Sequence, residues 1–251
     1  MKKLVVILAS LLAAAPVAAS NDHDQACAVA DNLVTADFGF PHVAAAIAAK
    51  KLTIVVIGSS SSALLDPTGT NRGYPARLEA ALAAKLPGVA VKVIAYAKPR
   101  ETAADMEKHF AQMLAADKPA LVVWQTGTVE AMLRSDVDDF RAVLDDGINA
   151  LQQAQADVVL MNQQYSPRTE LMTSSALYAD AMRFVALQHQ IPLFDRQAVM
   201  RHWGELGTFD LNQATKKIDT AVRVHDCIGR LLGRLILDAA NLPSSPDHAV
   251  Q

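Results

Sequence analysis

Short apolar runs of strand length recur along this chain and alternate with segments of helical spacing. The runs are Leu52 to Ile57, Val89 to Ala95, Leu121 to Trp124, Val158 to Met161 and Ile191 to Phe194. Most of them are continuous rather than alternating, which is typical of strands that are buried on both faces of a sheet. The pattern therefore predicts an α/β fold with a five-stranded parallel sheet covered on both faces.

Apolar residues between these runs recur at helical intervals, as expected for helices that pack on a sheet. Three such segments carry Met106, Phe110, Met113 and Leu114; Val137, Phe140, Leu144, Ile148 and Leu151; and Leu177, Ala181, Phe184 and Val185. The closing segment carries Ile228, Leu231, Leu232, Leu235 and Ile236. We expect these segments to form the two helical layers.

The first residues have the pattern of a secretory signal peptide. Lys2 and Lys3 give a charged start, and the apolar run from Leu4 to Val17 follows. Cleavage is expected after Ala19. The apolar run has about 14 residues, whereas a spanning helix needs about 20, so a cleaved signal is favoured over a retained anchor. The sequence predicts a periplasmic or secreted protein without a stable membrane anchor.

The rest of the chain fits one domain. Residues 20–241 have the size of a single α/β domain, and the Pro-Ser-Ser-Pro stretch near Pro243 predicts a disordered tail over residues 242–251. The net charge of the whole chain is −3, and loss of the two signal lysines makes it more negative. Because no basic block is present that would neutralise phosphates, nucleic acid is not an expected partner.

Cys27 and Cys227 are the only cysteines of the chain. In an oxidising compartment two cysteines often pair, and a disulfide here would tie the N-terminal segment to the last helix. Two separate buried thiols are the alternative, because sequence does not show whether the Cα atoms approach closely enough. The histidines show no His-x-x-x-His spacing, so neither a metal site nor a cofactor is expected.

Polar residues follow the carboxyl ends of the predicted strands, which is where ligands bind in sheets of this kind. The first strand runs into Gly58 to Ser62, a glycine followed by four serines. A serine on such a turn exposes its hydroxyl at the crevice, which suits a nucleophile. Serine and glycine are also ordinary turn residues, so the turn alone leaves a purely structural role open.

Three segments together resemble the SGNH hydrolases, also called the GDSL family. Ile57 to Ser61 stands where that family carries Gly-Asp-Ser, Val122 to Thr128 is similar to the strand before its Gly-x-Asn block, and Val159 to Pro167 is similar to its fourth strand. The Gly-Ser-Ser-Ser turn and the segment from Arg201 to Trp203 resemble a secreted bacterial branch. The resemblance spans Leu52 to Ala239 and implies a three-layer αβα sandwich of the flavodoxin-like, SGNH-hydrolase type.

The resemblance also implies roles for single residues. In that family a serine attacks an ester carbonyl, a histidine accepts its proton, and an aspartate three residues earlier orients the imidazole. Ser60 matches the nucleophile, because it is the third residue of the Gly-x-Ser turn. Tyr165, Trp124 and Trp203 are candidates to line a carbohydrate or acyl pocket, with core packing an open alternative for Trp124.

The oxyanion positions match the family only in part. Gly58 and Gly127 are present, but Val129 stands where the family has an asparagine donor, and valine cannot donate. The segment from Ala97 to Arg100 contains no glycine, and its Pro99 has no N–H group. The loss of one oxyanion donor costs about 2.7 to 4 kcal/mol of transition-state stabilisation.

The Asp-x-x-His block of the family permits two registers here. In the first, His225 is the base, but its partner three residues earlier is Val222, which cannot orient an imidazole. In the second, Asp226 to Leu231 matches the closing helix of the family, and the Asp and His positions fall on Lys216 and Asp219. The second register is favoured because it preserves the loop before the helix. It leaves no general base, since an ionised aspartate is a weak base for a serine hydroxyl.

Two functions fit these residues. The first is an exported esterase acting on acyl or O-acetyl esters of small molecules or glycans, with Ser60 as nucleophile and His225 as an irregular base. The second is a non-catalytic relative, a pseudoenzyme, whose crevice binds a glycan, a lipid or a periplasmic partner protein. The substitutions at Val129, Lys216 and Asp219 are the reason for the second hypothesis.

Overall fold

Five parallel strands form a single sheet in the order β2-β1-β3-β4-β5. The computed structural model of the chain describes residues 26–64, 72–173, 175–212 and 218–241. The strands are β1 (Lys51–Gly58), β2 (Ala90–Ala97), β3 (Leu121–Gln125), β4 (Asp157–Met161) and β5 (Leu193–Phe194). Every predicted strand overlaps an observed one, so the predicted five-stranded parallel sheet is confirmed.

Helices cover both faces of the sheet. In chain order they are α1 (Pro41–Ala48), α2 (Tyr74–Lys85), α3 (Ala103–Glu107), α4 (Phe110–Asp117), α5 (Thr128–Leu133), α6 (Val137–Gln153), α7 (Pro167–Met172), α8 (Ser175–Gln188), α9 (Arg196–Glu205) and α10 (Ile218–Ala240). Side chains of α1, α2, α9 and α10 share one core with the sheet. Those of α3, α4, α6 and α8 share the other. The three-layer αβα sandwich is thereby confirmed.

The central strand β1 shows why a continuous apolar run is needed. Ile54 and Val56 point into one core, whereas Val55 and Ile57 point into the other. Successive side chains of a strand face opposite sides, so a strand covered on both sides has no polar positions in its middle. Burial of each such side chain stabilises the fold by about 1.5–3 kcal/mol.

The edge strand β2 departs from the expectation of full burial. It pairs only with β1, and none of its side chains falls in the buried class. Its apolar run therefore belongs to a strand at the edge of the sheet, where the side chains are only partly covered.

Two of the predicted apolar positions of α8 face solvent rather than the core. Leu177 is 58% exposed and Phe184 is 56% exposed, whereas Tyr178 and Met182 are buried. The prediction was wrong for Leu177 and Phe184, because the apolar face that packs on the core is shifted by one residue and includes Tyr178 instead of Leu177. The guanidinium of Arg141 covers the Phe184 ring from 5.3 Å.

The segment from Met106 to Leu114 forms two helices rather than one. α3 ends at Glu107 and α4 begins at Phe110, with a tight turn in which His109 N donates to Met106 O at 3.0 Å. A capping box between Thr102 and Asp105 fixes the start of α3.

A disulfide joins Cys27 to Cys227, with an S–S distance of 1.97 Å and a Cα–Cα distance of 5.1 Å. Both residues are buried. Next to it, Trp203 Nε1 donates to Ala28 O at 3.2 Å. Arg234 of α10 also bonds Asp31 at 2.9 Å. The N-terminal segment is therefore held against α10 and α9 by one covalent bond and several polar contacts.

Three sequence-based predictions lie outside the described residues: the signal peptide over residues 1–19, the disordered tail over residues 242–251, and the triad position at Lys216. Within the four described ranges, no helix combines the length and apolarity that a bilayer crossing requires.

A buried carboxyl group joins the start of β4 to the start of α1. Asp157 is 7% exposed, and its Oδ2 accepts a hydrogen bond from Val43 N at 2.8 Å. Burial raises the pKa of Asp157 to about 7, and the backbone N–H groups of Val43 and His42 lower it only in part. In the folded protein the Asp157 carboxyl group therefore ionises only at about pH 7, whereas an exposed aspartate is already ionised at that pH.

We expect Asp157→Asn to flatten the pH dependence of stability between about pH 4 and pH 7. In that window the native state keeps the Asp157 proton and the unfolded chain has lost it, so the native state loses stability as pH rises. A pKa shift from 3.8 to about 7 corresponds to roughly 4 kcal/mol over the window. Urea unfolding at several pH values measures the effect, with exposed Asp146→Asn as control. Parallel curves for wild type and Asp157→Asn would contradict the assignment.

Candidate functional site at the serine turn

The side-chain oxygen of Gln125 organises the turn that follows β1. Gln125 is the last residue of β3, and its Oε1 accepts hydrogen bonds from Ser59 N, Ser59 Oγ and Ser61 Oγ, each at 3.1 Å. Ser62 Oγ donates to the same atom at 2.9 Å. The hydroxyls of three serines are therefore engaged in fixing the turn.

Gly58 is required at this place by close approach. A Cβ atom there would lie 2.5 Å from Ser62 Oγ and 2.9 Å from Gln125 Oε1. Such distances are far below van der Waals contact, so only glycine lets the Gln125 amide reach the turn.

Ser60 differs from the other serines of the turn. It is exposed at the first position of the short 3₁₀ segment Ser60–Ser62. Its hydroxyl makes no hydrogen bond to any residue that the structure describes, whereas those of Ser59, Ser61 and Ser62 all bond Gln125. The sequence assigned the nucleophile position to Ser60, and the structure presents this hydroxyl to solvent at the carboxyl edge of the sheet.

A buried guanidinium lies against the turn. Arg196, the first residue of α9, is 1% exposed. Its Nη1 donates to Ser61 Oγ at 3.2 Å, and its Nη2 donates to Ser61 O at 3.2 Å and to Gln164 Oε1 at 3.3 Å. The Tyr74 ring lies 5.6 Å from the guanidinium carbon. Burial lowers the pKa of Arg196 to about 10, so the group stays charged at neutral pH.

Tyr74 stands in contact with both the turn and His225. Its hydroxyl and Ser62 Oγ are 2.9 Å apart, and its backbone N–H donates to His225 Nδ1 at 2.9 Å. The two rings are stacked with centroids 6.1 Å apart. Burial raises the pKa of the Tyr74 hydroxyl to about 12. His225 therefore reaches the turn only through Tyr74.

The imidazole of His225 is held in a neutral form. Burial lowers its pKa to about 3, and the positive charges of Arg196 and Arg77 lower it further in the same direction. Because Nδ1 accepts the Tyr74 N–H, the ring proton resides on Nε2. A base needs an available lone pair, and the lone pair of His225 is already engaged.

Asp219, the other candidate at the base position, lies exposed in the first turn of α10. Within the described ranges, no hydrogen bond joins Asp219 or His225 to Ser60. The structure thus brings Gly58, Gln125 and Arg196 together around the turn, and none of the described residues places a proton acceptor within hydrogen-bond distance of Ser60.

Two backbone N–H groups near the turn, those of Lys98 and Gly127, have partners inside the fold. Lys98 N donates to Gly58 O at 3.0 Å, and Gly127 N donates to Glu130 Oε2 at 3.0 Å. Val129 is half-buried at the start of α5. Gly127 has a φ of 88°, a left-handed conformation that glycine adopts without strain. Neither Gly127 nor Lys98 therefore has an unused N–H for an oxyanion.

Glu130, directly after Val129, links two helix starts. Its carboxylate accepts hydrogen bonds from Gly127 N and, at 2.5 Å, from Ala103 N at the start of α3. The residue is 3% exposed, and burial raises its pKa. Glu130 therefore has a structural role, because each of its carboxylate oxygens accepts a hydrogen bond from a backbone N–H group.

Tyr165 lines an open pocket beside the crevice. The pocket measures about 360 Å³ and is also lined by Phe209, Asp210 and Asn212. Arg201 lies over the Tyr165 ring at 5.3 Å. Trp124 and Trp203 are fully buried, so both belong to the core rather than to a pocket. Among the described residues, no group of three or more His, Cys, Asp or Glu side chains is placed to hold a metal ion.

Sequence reasoning missed the residues that shape the site. No sequence pattern indicates that Gln125, Arg196 and Tyr74 contact the serine turn. The contact between Arg196 and the serine turn forms only when α9 packs in the folded protein, because 135 positions separate Arg196 from Ser61. It therefore cannot be predicted from a local sequence pattern.

The strand order and the Gly-Ser-Ser turn after β1 define an SGNH-type hydrolase fold. The chain belongs to the non-GDSL lipase-like family, whose family model matches residues 26–242. No curated protein sequence matches the chain.

Solved structures with the same fold include several esterases. LAE5, an alpha/beta hydrolase enzyme from the metagenome of Lake Arreo in Spain, is 19% identical over 75% of this chain and 96% of its own, with a TM-score of 0.61. A putative lipolytic protein of the G-D-S-L family from Desulfitobacterium hafniense is 16% identical over 73% and 98%, with a TM-score of 0.57. A catalytic mutant of the acetylxylan esterase Axe2 from Geobacillus stearothermophilus is 18% identical over 76% and 95%, with a TM-score of 0.57. At these identities the likeness shows the fold alone.

We expect Gln125→Met to destabilise the chain by about 3 kcal/mol, because it leaves several donors of the turn without an acceptor. Gln125→Glu restores the acceptor and should recover most of the loss. Urea unfolding measures both, and the exposed Gln188→Met serves as control, with an expected change below about 0.5 kcal/mol. A Gln125→Met variant as stable as the control would exclude the role given to this amide.

We expect the His225 imidazole to remain neutral, with its proton on Nε2, from pH 5 to pH 8. Its pKa of about 3 lies well below this range. Nitrogen-15 chemical shifts of the labelled ring report both the charge and the tautomer, and His225→Gln assigns the resonance. Titration near pH 6.5 would show that the ring is accessible to protons and would reopen its role as a base.

Proposed function

We propose that this chain is an exported, non-hydrolytic member of the non-GDSL lipase-like family that keeps the crevice beside its serine turn for ligand binding. The observation that carries the proposal is the state of His225. Its Nδ1 accepts the Tyr74 N–H at 2.9 Å, and its pKa is about 3. A serine hydroxyl that no general base deprotonates attacks an ester far more slowly at neutral pH.

The expected loss of hydrolytic rate supports the proposal. A general base contributes about 10²–10⁴-fold to rate, and one oxyanion donor contributes about 10²–10³-fold. Val129 offers no donor, and Lys98 N is engaged by Gly58 O. Loss of the base together with one oxyanion donor, that of Val129, therefore lowers the rate by up to about 10⁴–10⁷-fold, which leaves little of an ordinary esterase.

Export is part of the proposal and rests on two observations. The first nineteen residues have the pattern of a signal peptide. The disulfide between Cys27 and Cys227 is a bond that persists in oxidising compartments such as the periplasm. The proposed partner is accordingly a periplasmic or extracellular ligand, small-molecule, glycan or protein.

One observation favours a second candidate function, an esterase acting on acyl or O-acetyl esters. The hydroxyl of Ser60 is exposed at the carboxyl edge of the sheet, where the nucleophile of the fold is expected. Several neighbours of the same fold carry names of esterases and lipolytic proteins. Under this hypothesis water or a substrate group would accept the Ser60 proton.

Hydrolysis of short-chain aryl esters and acetylated xylan by the purified chain separates the two functions. We expect wild type, Ser60→Ala and His225→Ala to show the same background rate, because no base among the described residues bonds Ser60. Ser60→Ala also controls for contaminating esterases. Turnover that disappears in Ser60→Ala would establish the esterase and reject the non-hydrolytic proposal.

Restoring the missing groups tests the register of the triad positions. In the triple variant Val129→Asn, Lys216→Asp and Asp219→His, the family residues return to the positions assigned by the second register. We expect ester hydrolysis to rise at least tenfold, and the rise to vanish when Ser60→Ala is added. A folded triple variant without any gain would show that the register is wrong.

A further inference from the structure

A pocket opens between the start of α7, the end of α9 and the loop that follows α9. It measures about 360 Å³, and its lining includes Tyr165, Phe209, Leu211, Glu205 and Asp210. A cavity of this volume suits a small molecule rather than a macromolecule. Both acidic residues of the lining are exposed, so a ligand from solvent can reach them.

One part of the pocket wall is aromatic and apolar. Phe209 and Leu211 are 4% exposed, and both belong to the core on this side of the sheet. Gly204 near the end of α9 also lines the pocket, and a Cβ atom there would lie 3.5 Å from Tyr165 Cε1 and 3.5 Å from Leu211 Cδ1. This part of the wall can therefore pack on the apolar body of a ligand.

The charged part of the wall is acidic. Glu205 and Asp210 are the charged residues among those that line the pocket, and within the described ranges neither forms an ion pair. Asp210 Oδ1 accepts a hydrogen bond from Asn212 N at 3.1 Å. The C-terminal end of α9 lies at the pocket too, and a helix C-terminus carries partial negative charge. The pocket therefore favours a positively charged ligand.

Two arginines beside the pocket offset this negative charge only in part. Arg201 covers the Tyr165 ring from 5.3 Å and forms an ion pair with Glu170, so its charge is already compensated. Arg223 lies over the Phe209 ring at 5.2 Å, and no acid of the described ranges pairs with it. One positive charge thus stands against two carboxylates and the end of α9, and the balance stays negative.

We infer that this pocket binds a small organic cation, an ammonium group attached to an apolar body. The carboxylates of Glu205 and Asp210 supply the negative charge for the ammonium group, and the body packs on Tyr165 and Leu211. An ammonium group has only donors and a carboxylate has only acceptors, so the two match. The inference goes beyond the proposed function, because Ser60 does not line this pocket.

Three probes of the same carbon skeleton test the charge of the ligand: 4-phenylbutylamine, 4-phenylbutan-1-ol and 4-phenylbutyrate. At neutral pH they carry a positive charge, no charge and a negative charge. We expect calorimetric titration at low salt to show saturable binding of the amine, at least tenfold tighter than that of the alcohol or the acid. An alcohol or an acid that binds as tightly as the amine would overturn the inference. So would failure of the amine to bind at millimolar concentration.

Two isosteric variants locate the ammonium group. Asp210→Asn and Glu205→Gln each remove one negative charge and preserve size, and each should weaken amine binding at least threefold. Asp146→Asn removes the same charge from an exposed position on α6, on the other face of the sheet, and should leave binding unchanged. Amine binding that is unchanged in both pocket variants, or equally weakened in Asp146→Asn, would overturn the inference. Glu205 is exposed, so Glu205→Gln decides if Asp210→Asn fails to fold.

The outcome is separable from that of the proposed function. Ester hydrolysis that depends on Ser60, together with amine binding that depends on Glu205 and Asp210, would reject only the non-hydrolytic proposal. An inactive chain that binds no amine would reject only the cation pocket.

Discussion

The rest of the crevice depends on one amide oxygen, that of Gln125. It sits at the end of a central strand and receives the N–H and hydroxyl groups of the turn after the neighbouring strand. A side chain fixed to the sheet thereby sets the position of a loop. Gly58 has no side chain because this oxygen needs the space. The exposed hydroxyl of Ser60 is a consequence, since it is the one serine of the turn that Gln125 does not engage.

Behind the turn, Arg196, Tyr74 and His225 form a connected set of buried polar contacts. The guanidinium bonds the turn, the tyrosine bonds both the turn and the histidine, and the histidine is left neutral. Each of these groups is polar and buried, so each needs the others as partners. These contacts hold α2, α9 and α10 together beside the serine turn.

The sequence predicted the sheet well because strand burial on two faces is a local requirement, visible in Ile54 to Ile57 without knowledge of any partner. It also located Gly58 and Ser60, which are fixed by their distance from a strand end. It failed for Leu177 and Phe184, where a shift of one residue decides which helix face is covered. It gave no sign of the contact between Arg196 and Ser61, because that contact exists only after distant helices pack.

The bond between Cys27 and Cys227 spans 200 positions, from the first described residues to the last helix. A product truncated at one end only, either before α10 or after Cys27, therefore carries a lone thiol. A chain that retains both cysteines can lose its reactivity toward thiol reagents by closing this bond. A thiol reagent therefore distinguishes the intact protein from fragments that have lost one end of the domain.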